Sequence, residues 1–122
     1  MKVAALAALV FAMSTANAQT VILYSQRDAR EAQRIHRIAV MYSIVLRDVE
    51  IPPGEPWRAT VAGWIREAKT VLILWSANAA ESDELAAEWR QALASPARVV
   101  PVLLDATPLP GELAGRQAVD WR

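Results

Sequence analysis

The chain has 122 residues, room for one domain, and at 54% apolar and 21% charged its composition is that of a globular protein, not a disordered one. Thirteen basic and thirteen acidic residues cancel, which leaves no electrostatic footprint for nucleic acid. Cysteine is absent and His36 is the lone histidine, so thiolate chemistry, disulfides and cysteine- or histidine-rich metal centres are not expected.

Residues 1–18, MKVAALAALVFAMSTANA, read as an export leader standing outside the fold. Lys2 supplies the basic start, an apolar run follows, and Ala16-Asn17-Ala18 has the form of a signal-peptidase site. The run is shorter than the roughly 20 apolar residues that span a bilayer, so no transmembrane segment is expected. The same residues also read as a buried first strand or helix, or as a misassigned start. With a working leader the domain is 19–122 and the protein is periplasmic or secreted; without one it is cytoplasmic.

Four apolar runs then alternate with helical patterns. TVILY (20–24), SIVL (43–46), TVLILW (70–75) and RVVPVLL (98–104) are rich in Val, Ile and Leu on both faces, the mark of strands covered on both sides in a parallel sheet. Pro101 places the last run at or near an edge, or marks a bulge in it. The first helix is expected from a cap at Asp28 to Val40, with Ala32, Ile35, Ile38 and Ala39 inward. A second helix follows Pro56 to Ala68. A third starts from a cap at Ser82 and runs to about Ala94, with Leu85, Trp89, Ala92 and Leu93 inward. A short helix is expected over 110–114, ahead of VDW at 119–121. Strand–helix alternation of this kind predicts one α/β domain with right-handed crossovers.

Residues 81–89, ESDELAAEW, hold four carboxylates and no lysine. On one continuous helix Glu81, Glu84 and Glu88 would share a face, repelling by a few tenths of a kcal/mol per exposed pair. Two readings stand side by side. Asp83 and Glu84 suit a helix N-terminus and the rest is a solvated face, or one of the acids works in a site. Neither G-x-G-x-x-G nor a P-loop is present. Ligands of open α/β sheets bind outside the carboxyl ends of the strands, and those ends carry Tyr24-Ser25-Gln26-Arg27-Asp28 and Ser76-Ala77-Asn78. Ser76 and Asn78 also read as ordinary loop and cap residues, and His36, between Arg34 and Arg37, as a surface residue. The loop 47–56 holds three prolines and Gly54, a stiff projection that suits a partner or a plain connector.

Together these stretches resemble the Toll/interleukin-1 receptor (TIR) domain of the bacterial type, in five pieces across the whole mature chain. TVILYS resembles its first-strand box, with Leu23 where a serine is usual. IPPGEPW resembles the BB loop and the helix after it, VLILWSANAAESDELAAEW the third strand and its helix, and RVVPVLLDATPLPGEL with QAVDWR the closing segments. The resemblance implies a flavodoxin-like TIR fold: a mostly parallel five-stranded sheet with helices on both faces. It also implies association with other TIR domains, or self-association, through the loop 47–56, with Ile51, Pro52, Pro53 and Gly54 as the contact residues. In many members it implies cleavage of NAD+ at the nicotinamide–ribose bond, with NAD+ as substrate and no further cofactor. The catalytic glutamate of the family falls on Glu88. The substrate-binding positions fall on Tyr24, Ser25, Gln26, Arg27, Ser76 and Glu84. The sequence departs from the enzymes at Glu84, where they commonly carry tryptophan, and at Ser25 and Gln26, where some carry arginine; Trp89 and Arg27 are the residues at hand to substitute. The alternative that the resemblance implies is a non-catalytic interaction module.

Overall fold

The computed structural model describes residues 3–13, 20–42, 46–47 and 57–122. The loop residues Ile51, Pro52, Pro53 and Gly54 therefore lie outside the described residues, as do 43–45 of the second expected strand.

The order along the chain is α1 (Val3–Met13), β1 (Thr20–Leu23), a 3-10 turn (Gln26–Asp28), α2 (Ala29–Met41), β2 (Leu46–Arg47), α3 (Trp57–Glu67), β3 (Thr70–Trp75), α4 (Ala77–Ala80), α5 (Asp83–Leu93), β4 (Arg98–Leu103), α6 (Gly111–Ala114) and β5 (Val119–Asp120). The five strands form one sheet in the order β2-β1-β3-β4-β5, every pair parallel. All residues of β1 and β3 are buried, as strands covered on both faces must be. α2 packs beside α1, and α3 packs against α5.

Pro101 sits opposite Ile73 of β3, in the next-to-edge strand. The backbone N–H groups of Arg98 and Leu104 donate to Lys69 and Trp75 on the β3 side. Alternation along the strand then turns the nitrogen of residue 101 toward β5. β5 pairs with β4 only from Val102 onward, so the missing N–H faces a gap in the ladder and costs no hydrogen bond.

One expectation needs correction. Asp28 makes no side-chain cap for α2; Ser25 instead caps the turn before it, accepting from the Arg27 N–H at 3.3 Å. The acidic stretch is not one helix: α4 ends at Ala80, Glu81 lies in the turn, and Ser82 starts α5 by accepting from the Leu85 N–H at 3.1 Å. The apolar run forms α1, which rests on α2 and β5, with Leu9 fully buried in the core and Ala5 and Leu6 packed against it. An all-apolar helix gains by covering apolar surface that would otherwise meet water.

Candidate active site

The carboxyl ends of β1 and β3, adjacent in the sheet, are joined by a polar cluster. The Asp28 carboxylate accepts from the Ser76 hydroxyl at 2.5 Å and from the Asn78 amide at 2.9 Å. Ser76 Oγ in turn accepts from the Ala79 N–H at 3.0 Å, capping α4. The Ser76 proton is committed to Asp28 and the residue is buried. In the next loop Asp105 accepts from the N–H of Ala77 at 3.0 Å and of Thr107 at 2.9 Å. Hydrogen bonds from Thr107 and Ala77 hold the Asp105 carboxyl below its usual range. Three strand ends are thus tied together by two aspartates whose role the sequence patterns did not reveal. For Asp28 the only signal was a carboxylate after a strand, which also fits a helix cap.

The expected wall after β1 is uneven. Tyr24 is buried, Ser25 half-buried and spent on its turn, while Gln26 and Arg27 are exposed. Glu84 is exposed in the first turn of α5. Trp89 is only 2% exposed, its ring edge-on to Trp75 with centroids 6.5 Å apart and the Arg90 guanidinium 4.9 Å above it. It belongs to the core and does not line an open wall. Trp75 in turn donates from Nε1 to the Pro108 carbonyl at 2.9 Å, fixing the β4–α6 loop over the strand end.

Glu88 stands apart. It lies on the face of α5 that also buries Leu85, Trp89 and Ala92, it is 9% exposed, and its Oε2 is buried without a hydrogen-bond partner among the described residues. Burial, and then the Glu84 carboxylate one turn earlier, push its carboxyl from 4.5 up to about 7. Glu81 lies in the turn outside α5, off the helix that carries Glu84 and Glu88. α5 packs against β1 and α4, which sets Glu88 on an element beside the strand-end cluster. His36 is half-buried, with Nδ1 unpartnered among the described residues, not the plain surface residue expected. Among the described residues no three His, Asp or Glu side chains group as metal ligands.

A five-stranded parallel sheet in this order, with its polar cluster at the β1/β3 switch point, defines a flavodoxin-like α/β domain whose ligand end is the carboxyl end of the strands. The TIR domain family model matches residues 21–122. The chain belongs to the TIR domain family, a signalling and interaction module. No curated protein matches it. Among solved structures it is similar to the TIR domain of the Toll-related receptor TRR-2 from Hydra magnipapillata, at TM-score 0.76 and 14% identity, over 84% of this chain and 82% of that one. It is also similar to the TIR domains of the activated Roq1 resistosome, which directly recognizes the pathogen effector XopQ, at TM-score 0.65 and 19% identity, over 75% of this chain and 60% of that one. α1 lies outside the matched residues, and no helix among the described residues is long and apolar enough to cross a membrane.

Proposed function

We propose that this TIR domain cleaves NAD+ at the nicotinamide–ribose bond, with Glu88 as the catalytic carboxylate. The observation that carries the reading is a buried carboxylate on α5 whose Oε2 has no hydrogen-bond partner among the described residues. Such a group is costly to keep, and sites that do chemistry are where that cost is tolerated. Loss of nicotinamide passes through an oxocarbenium-like state, and the leaving group is already cationic, so no general acid is needed. A carboxylate in a low-dielectric setting opposes the developing positive charge more strongly than one in water. Gln26 and Arg27, exposed after β1, are the groups available to the rest of the dinucleotide.

A specific observation favours a second reading, a non-catalytic module that associates through the loop 47–56. Glu84 is exposed and Trp89 is core, so neither supplies an aromatic wall for the nicotinamide ring. Nicotinamide release from NAD+ by the concentrated protein, measured beside Glu88→Gln, separates the two. Release lost in the variant is the expected outcome; no release by the wild-type chain would leave the module. Export through residues 1–18 to a periplasmic or secreted location remains part of the proposal, with a cytoplasmic location as its alternative. N-terminal sequencing that begins at Gln19 would support export, and one that begins at Met1 would oppose it.

A further inference from the structure

Among the described residues, the large apolar side chains left in water are consecutive: Val40, Met41 and Tyr42, 63%, 78% and 51% exposed at the carboxyl end of α2. Exposed apolar residues scattered singly need no explanation, but a run of them does. A row of cations leads up to it. Arg30, Arg34, Arg37 and Met41, all exposed, follow one another at spacings of four, three and four. They therefore share one face of α2, opposite the buried Ala32, Ile35 and Ala39. The row is roughly 16 Å long at 1.5 Å per residue.

The charge of this row is not cancelled. Arg34 is paired with Glu31 at 3.3 Å, and Glu31 also accepts from Trp121 at 3.2 Å. Arg30 and Arg37 have no acidic partner among the described residues. Asp28, at the start of the helix, is spent on Ser76 and Asn78. α1, which packs beside α2, carries no charged residue from Val3 to Met13. α2 joins the parallel strands β1 and β2, so it runs back from their carboxyl ends to their amino ends. Its apolar tip thus stands at the opposite end of the sheet from the Asp28–Ser76–Asn78 cluster.

We propose that this face of α2 docks on an anionic phospholipid surface. Arg30, Arg34 and Arg37 meet the phosphates, and Met41, flanked by Val40 and Tyr42, enters the hydrocarbon boundary. The guanidinium fork matches phosphate oxygens. A bilayer interface offers anions and hydrocarbon within ~5–10 Å of one another, as a row of arginines ending in apolar side chains requires. Tyrosine, with an apolar ring and a polar tip, suits that boundary. An acidic protein would satisfy the arginines but set carboxylates beside Met41. Each arginine held near an anionic surface strengthens binding about fivefold.

The test is flotation of the intact 122-residue chain with vesicles of equal parts phosphatidylglycerol and phosphatidylcholine, beside vesicles of phosphatidylcholine alone. Binding to the anionic vesicles should be at least about tenfold stronger. Arg30→Glu with Arg37→Glu should weaken it at least about tenfold. Met41→Gln, which removes the apolar tip and no charge, should weaken it about threefold or more. Arg66→Glu with Lys69→Glu makes the same change in net charge from exposed positions outside α2, and should weaken binding about threefold at most. Every replaced side chain is exposed, and circular dichroism verifies that each variant is folded. No preference for anionic vesicles, full binding by the Arg30 and Arg37 double variant, or an equal loss in the Arg66 and Lys69 control would each overturn the proposal. So would self-association that the Arg30 and Arg37 double variant abolishes, found in place of vesicle binding, since it would give this face to a second copy of the chain.

Discussion

At the scale of single residues, Glu88 carries opposing consequences for stability and for chemistry. Its folded-state value of about 7 lies above the ordinary 4.5, so the folded chain holds the proton more tightly than the unfolded one. The resulting stability is fully present below about pH 4.5 and is lost as pH rises through about 7. A shift of this size corresponds to something on the order of 3 kcal/mol. Glu88→Gln removes the titration. The stability difference between variant and wild type, from urea midpoints, should therefore move by about that amount in favour of the variant between pH 5 and pH 8. An unchanged difference would mean that the carboxyl is solvated. The catalytic reading requires the ionised form, so kcat/KM for NAD+ should climb with pH through about 7, the free-enzyme value. A flat profile over that range would count against Glu88 as the working group. Asp28 poses the opposite case, a carboxylate whose hydrogen bonds are all structural. Asp28→Ala leaves the buried Ser76 hydroxyl without its acceptor and should cost about 2 kcal/mol in urea unfolding, with no change in m.

Elements were legible where a pattern ran long enough to have a period. TVILY, TVLILW and RVVPVLL became β1, β3 and β4, and the three-four spacing of Leu85, Trp89 and Ala92 placed the inward face of α5. The four residues of α4 were not legible, because one turn of ANAA has no periodicity and ends before a nucleated helix would pay back its entropy. The cap expected at Ser82 already left Glu81 outside the helix, where the structure has it, in the turn after α4, so the three glutamates do not share one helix. The Asp28 error has a different origin: a cap preference is local, and bonds to Ser76 and Asn78, some fifty positions away in sequence, outcompeted it. The position of Glu88 was legible, three after Leu85 and four before Ala92 on the inward face of α5, but its residue type argued for solvent, as the exposed Glu84 does one turn earlier. The Ser82 cap was read correctly and has a measurable value. Ser82→Ala should destabilise the domain by about 1 kcal/mol. Because α5 carries Glu88, the variant should also lower nicotinamide release if the catalytic reading holds.

For the whole molecule, the decisive question is whether α1 is a passenger or a part. Residues 21–122 account for the family match, yet Leu9 is among the largest fully buried side chains and α1 rests on both α2 and β5. The C-terminal end is tied to the same region: Trp121 Nε1 donates to Glu31 Oε2 of α2 at 3.2 Å, and the Trp121 N–H donates to the Leu103 carbonyl at 2.9 Å. A leucine buried in a packed core contributes the transfer of its methyl and methylene groups plus the cavity its loss creates. Leu9→Ala in the intact chain should therefore cost about 2–4 kcal/mol. Ala7, exposed on the same helix, supplies the contrast: Ala7→Ser should change stability by about 0.5 kcal/mol or less. If both variants unfold at the wild-type urea midpoint, α1 is not docked on the folded domain, and residues 1–18 act only as a leader. If Leu9→Ala alone shifts the midpoint, then removal after Ala18 would cost the domain its cover over β5, and export and full stability would exclude one another in this protein.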